Sequence, residues 1–267
     1  MKILVIPDTQ CRPGVRTDHM TWIGRCAVDL KPDFIIHLGD HFDMPSLNTW
    51  SKSIEVEGRR VIEDLESGKK SLAKLLAPID DYNKGKKNKF LPGKHFLMGN
   101  HEERLFRYIK ENPCLEGVFS EQSFGLDGWS VHKFLETFQI KGIWFSHYFV
   151  NPNSSRPWAG TAHSKLKNIG LSFVMGHQQG LDLAVRALPN GKQQRGLVAG
   201  SCYLHRENYR TPQGKESFQG IIILNDVRDS TYDLMELSLR YLKRKFGCQP
   251  IKYFTNRTDL NKTPKSG

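Results

Sequence analysis

The sequence predicts an α/β protein with two β-sheets packed face to face and helices outside. Three observations carry that expectation. Short β-branched runs alternate with amphipathic stretches through the first half, as strand and helix layers require. The second half turns β-rich, with Gly or Pro between most of its apolar runs. The 267 residues contain no internal repeat or low-complexity linker, and 38% apolar against 25% charged residues allow a sizeable core. That balance excludes a disordered tail, a collagen-like repeat and a coiled-coil rod.

Taken in order, Lys2–Pro7, apolar from Ile3 onward, reads as a buried strand, His19–Leu30 as a helix and Asp33–Leu38 as the next strand. A long helical pattern follows over Ile54–Tyr82, interrupted at Gly68, ended by Pro78 and followed by a lysine-rich loop, 83–89. His95–Met98 gives a third strand, Glu102–Lys110 a helix, and Gly142–Ser146 a fourth strand after irregular sequence. Beyond it, Leu171–Met175, Leu181–Ala187, Gly196–Gly200, Gly220–Leu224 and Thr231–Leu237 read as strands. Leu237–Phe246 has the spacing of an amphipathic helix with basic outer positions. The simplest parse is one domain over residues 1–237 with a basic extension, 238–267.

Lys and Arg exceed Asp and Glu by 39 to 28, and the resulting +11 attracts anions. Ser238–Gly267 holds eight basic residues against Asp259 alone, so +7 of that charge lies there. Five cysteines (Cys11, Cys26, Cys114, Cys202, Cys248) lie far apart with no C-x-x-C pair, which argues against a disulfide framework or a zinc knuckle. The apolar runs are too short to span a bilayer, and no signal region opens the chain, so a cytoplasmic protein without a membrane partner is expected.

The informative residues follow the strands. The strands open into Pro7-Asp8-Thr9-Gln10, Gly39-Asp40-His41-Phe42-Asp43, Gly99-Asn100-His101-Glu102, Ser146-His147 and Gly176-His177-Gln178-Gln179. A single Gly-Asp after a strand is commonly a turn, and a single His commonly a hydrogen-bonded core residue. Five such groups in succession are a different matter. Ligands of open α/β sheets bind beyond the carboxyl ends of the strands, where Asp, Asn, His and Gln would converge as donors to divalent cations.

These motifs resemble the calcineurin-like metallophosphoesterase family, whose pattern is D-x-H, G-D-x-x-D, G-N-H-D/E, a later His and G-H-x-H. The resemblance covers Met1 to about Leu224. It implies a four-layer double β-sandwich flanked by helices, with two divalent metal ions at the loop ends. Matched by position, Asp40 would bridge both metals, Asp8 would bind the first, and Asn100, His147 and His177 the second. His101 would be the general acid and Asp43 would orient it, while a metal-bridging hydroxide attacks the phosphorus in line.

Two positions depart from the pattern. Gln10 and Gln179 stand where the family has histidines, both on the first metal. Carboxylate and amide oxygens there favour Mn²⁺ or Mg²⁺ over zinc or iron and make the first metal the weaker.

The family acts on many phosphate esters, so loops must choose the substrate. The arginine that follows the second motif in its protein phosphatases is replaced by Met44-Pro45, which weakens that reading. Arg12 and Arg104 are candidate phosphate clamps, against the alternative of solvated surface charges. Residues 148–163 have the length and Pro/Gly content of a lid. Residues 203–215 interleave aromatics with Arg206, Arg210 and Lys215, which suits stacking on a base while pairing its phosphate. A phosphomonoesterase or phosphodiesterase acting on a nucleotide or nucleic-acid-derived substrate is therefore expected. A repair-type nuclease and a binding protein with an incomplete first metal site are the rivals. The sequence leaves the oligomeric state open.

Overall fold

The computed structural model describes residues 1–49, 57–205 and 217–247. Among these, six strands form one sheet in the order β11 (Thr231–Ser238), β10 (Gly220–Arg228), β1 (Ile3–Ile6), β2 (Phe34–His37), β3 (Gly93–Leu97) and β4 (Ser130–His132). β1 to β4 run parallel, while β10 and β11 close the other edge antiparallel. The second sheet is β5 (Phe138–Ile140), β6 (Ile143–Ser146), β7 (Phe173–Met175), β9 (Gln193–Ala199) and β8 (Leu181–Ala187), with β6, β7 and β9 parallel.

The alternation of side chains along a strand builds the layers. In β1, Ile3 and Val5 enter the core between the sheets, where they join Ile36, Leu38, Phe145, Val174 and Leu197; Leu4 and Ile6 face the opposite way, toward the helices. Both faces are buried, which is why β1 reads as unbroken apolar sequence rather than as alternation. On the outer face of the first sheet lie α1 (Asp18–Leu30), α2 (Val61–Asn83) and α5 (Leu239–Phe246). On the outer face of the second lies α4 (Ala162–Ile169), whose Ala162 and Leu166 pack on Phe173 and Val198. The expected arrangement of two sheets with helices outside is the one observed.

Several elements differ from the sequence reading. α2 does not break at Gly68 or end at Pro78 but runs through both to Asn83. Its stripe of Leu65, Leu72, Leu75 and Ile79 stays buried on both sides of the proline, and that burial outweighs the hydrogen bond Pro78 forfeits. Gly68 is inside the helix because the Phe42 ring occupies the space a Cβ would need. Ile54–Val56, the expected start of this helix, lie outside the described residues. β4 and β5, three residues each, were not expected, and neither was α4. β10 runs to Arg228, four residues beyond the expected end.

Of the basic extension, the described residues form α5. Leu239, Leu242 and Phe246 are buried against the core, Arg25 donates to the Phe246 carbonyl, and Lys245 pairs with Asp29 at 2.6 Å. Among the described residues no helix is long and apolar enough to cross a membrane.

Candidate metal centre

The carboxyl ends of β1, β2, β3, β6 and β7 meet at one edge of the sandwich and bring their polar residues together. Gln10, Asp40, Asn100, His101, His177, Gln179 and Gly180 line a single cleft of about 320 Å³. Asp8 and His147 lie buried beside it. The turns that achieve this are tight: Gln10, Asp40 and His177 all adopt positive φ, a conformation L-residues take up when the surrounding structure dictates it. Two glycines allow the carboxylates to come close. A Cβ on Gly99 would lie 2.1 Å from Asp40 Oδ1, and one on Gly176 would lie 2.6 Å from Asp8 Oδ1.

Asp40, His147 and His177 each present a donor atom within 4.8 Å of the others. His147 Nδ1 lies 2.7 Å from the Leu38 carbonyl, which sets that nitrogen as the N–H and leaves the Nε2 lone pair for the cleft. Nε2 is 3.0 Å from Asn100 Oδ1 and 3.4 Å from Asp40 Oδ1. His177 Nδ1 is 2.8 Å from the same Asn100 oxygen. Asp8 accepts the His177 backbone N–H through Oδ1 at 3.0 Å, while its buried Oδ2 has no hydrogen-bond partner. Two buried carboxylates, one with an oxygen unsatisfied, and two imidazoles converging on an amide oxygen make a donor set that fits divalent cations.

The charges of the cluster act strongly on one another. Burial and then the neighbouring Asp40 charge push the Asp8 carboxyl up to about 7. Burial also opposes the Asp40 charge, but His101 and His147 outweigh it and hold Asp40 below the usual carboxylate range. For His147, burial works downward and the Asp40 charge prevails, carrying the imidazole up to about 9. His177 is brought down to about 4 by burial and the His147 charge.

His101 stands next to this cluster without belonging to it. Its Nδ1 is 2.9 Å from Asp43 Oδ1, and its backbone N–H donates to Asp40 Oδ1. Arg12 and Arg104, expected as phosphate clamps, converge on this pair. Arg12 Nη1 binds Asp43 Oδ2 at 2.7 Å; Arg104 Nη1 donates to the Asp43 carbonyl at 2.7 Å, and its Nη2 lies 3.2 Å from His101 Nε2. Arg206, Arg210 and Lys215 lie outside the described residues. Tyr203, the first aromatic of the stretch expected to stack on a base, is buried and donates its hydroxyl to Gln179 Oε1 at 2.7 Å.

Glu102 has a structural role the sequence reading did not give it. Its fully buried carboxylate accepts four backbone N–H groups, from Gly99, Asp40, His41 and Phe42, at 2.7–2.9 Å. It thereby ties the second motif to the third. Thr9 performs a similar service between β1 and β2, with its hydroxyl 3.1 Å from His37 Nε2 and 2.6 Å from His41 Nδ1. The last position of Gly-Asn-His-Glu was the available signal for Glu102, since an acid at the start of a helix can reach back to exposed amides.

Two sheets packed face to face, helices outside and a cluster at the strand ends whose donors could hold a metal ion match one class, the metallophosphoesterases. The calcineurin-like phosphoesterase family matches residues 1–211, and the chain belongs to it. The gene 54 protein of Mycobacterium phage D29 is 30% identical over 184 residues, covering 66% of this chain and 68% of its own. The gene 54 protein of Mycobacterium phage L5 is 27% identical over 204 residues, 73% of this chain and 76% of its own. Among solved structures, Yfce, a phosphoesterase from E. coli, aligns over 90% of this chain and 100% of its own at 11% identity, with a TM-score of 0.40.

Proposed function

We propose that this chain hydrolyses a phosphomonoester or phosphodiester with two divalent cations, manganese above all, and that nucleotide or nucleic-acid-derived esters are its substrates. The observation that carries the reading is the convergence of His147 Nε2 and His177 Nδ1 on Asn100 Oδ1 and Asp40, beside the unsatisfied Asp8 Oδ2. Asn100, His147 and His177 would hold one ion, Asp8, Gln10 and Gln179 the other, with Asp40 shared between them. Bound there, the cations would supply positive charge that polarises the phosphoryl oxygens and acidifies a water. Mn²⁺ or Mg²⁺ suits the oxygen-rich first position.

The remaining work falls to the chain itself. Asp43, itself held by Arg12 and Arg104, fixes the His101 ring through Nδ1, with Nε2 3.7 Å from Asp40 Oδ2. A water that has lost one proton to solvent forms the new bond to phosphorus through its oxygen, the ester P–O bond breaks, the alcohol leaves with a proton from His101, and solvent returns a proton to His101. Burial works against that imidazolium, but the Asp40 charge and then the hydrogen bond to Asp43 prevail and raise it above its ordinary value. The +11 charge supports an anionic substrate.

The experiment is a panel of p-nitrophenyl phosphate, bis-p-nitrophenyl phosphate, cyclic nucleotides and labelled single strands, each offered to the Mn²⁺-loaded chain. Turnover of at least one ester that chelation abolishes and manganese restores is expected. A folded, metal-loaded protein inert toward all of them would leave a binding protein instead. Degradation of strands with steep salt dependence would favour the nuclease.

A further inference from the structure

One rim of the cleft carries chemistry that the hydrolytic reading leaves unused. Tyr148 follows His147 directly and is partly exposed. Its ring lies 4.6 Å from that of His177, tilted by 45°, and packs edge-on against Phe134 at 5.6 Å. The ring is thus braced by two neighbours, one of which, His177, lines the cleft. The loop that carries Asn100 and His101, which line the cleft, leads into α3 (Glu103–Glu111), whose Arg104 and Arg107 share a face at a spacing of three residues. Arg104 is turned inward onto Asp43 and His101. Arg107 is exposed, and its Nη2 donates to the Asn100 carbonyl at 3.3 Å, which sets the guanidinium above the loop that carries Asn100.

We propose that Tyr148 and Arg107 form a subsite for the nucleotide adjoining the scissile bond of a single-stranded phosphodiester, with the base stacked on Tyr148 and the next phosphate paired with Arg107. The proposal rests on the phosphoesterase reading above and names the substrate class within it. An aromatic face accepts any base, so the subsite is indifferent to sequence. A guanidinium offers a planar pair of donors that matches a phosphate better than an ammonium does. The two groups flank the His177 and Asn100 side of the cluster, so a strand whose reacting phosphate lies on the cluster would run toward α3.

The test compares a fluorescein-labelled phosphorothioate oligothymidylate with an abasic strand of equal length, by anisotropy on the full Mn²⁺-loaded chain. Tyr148→Leu should cut the preference for the base-carrying strand roughly tenfold, within the range of one base–aromatic stack, while Tyr148→Phe retains it. Arg107→Gln should weaken both strands and lower the salt slope by about one phosphate contact. Unchanged preference in Tyr148→Leu, an unchanged salt slope in Arg107→Gln, or a wild type that does not distinguish the strands would overturn the proposal. Hydrolysis of bis-p-nitrophenyl phosphate by the same preparations is scored separately. Its absence from the wild type would count against the enzyme, whereas the binding comparison needs no turnover.

Discussion

His101 and Asp40 lie side by side yet should behave differently when removed. On the proposed mechanism His101 protonates the leaving group, so His101→Ala should lower turnover by about 10²-fold or more with metal content nearly intact. Asp40 approaches His147 and His101 from one cluster, so Asp40→Ala should lose both metal and activity. Atomic emission on the purified variants separates the two, and the reverse pattern would invert the role assignment. Glu102→Ala tests the support beneath them. It orphans four buried amides, each worth about 1–3 kcal/mol when unsatisfied, and should lower the urea midpoint sharply even in metal-free protein. A midpoint like that of the wild type would mean that water replaces the carboxylate. The residues that converge on the cleft were legible because each directly follows an apolar run. The partners of Arg12 and Arg104 were not, since an arginine that braces Asp43 and one that meets a phosphate look alike in sequence.

At the scale of elements, α2 shows how tertiary packing overrides local preference. Gly68 and Pro78 both predict an interruption, yet the burial of Leu72, Leu75 and Ile79 carries the helix through. Alanine is ordinarily the better helix former, but at Gly68 its methyl would meet the Phe42 ring at 2.1 Å. Gly68→Ala should therefore destabilise by about 1–3 kcal/mol, and a gain in thermal midpoint would contradict the packing argument. α1 gives a pH signature. Burial and then the His41 charge bring His19 down from 6.5 to about 3. The folded state then binds fewer protons than the unfolded one between these values, so this contribution is intact above pH 6.5 and is lost as pH falls. His19→Leu should remove about one proton from the uptake on unfolding in that window; urea titrations at pH 5 and pH 7 would reveal it. The short strands β4 and β5 escaped the sequence reading because three residues cannot display a period.

For the whole molecule, two sheets, outer helices and a cleft at the strand ends followed from alternating apolar runs and from what came after each run. The order of the strands did not follow, because β10 returning beside β1 is a long-range pairing with no local mark. The charge of +11 gives the molecule an anion-attracting field, so strand binding should fall steeply between low and physiological salt. Metal loading should also raise the unfolding midpoint, since cations would relieve the mutual repulsion of Asp8 and Asp40. The most direct test of the central claim is anomalous scattering from crystals grown in manganese. The account predicts a strong peak among Asp40, Asn100, His147 and His177 and a weaker one shared by Asp8, Asp40, Gln10 and Gln179. Crystals saturated with manganese that show no peak within bonding distance of Asp40 would contradict it.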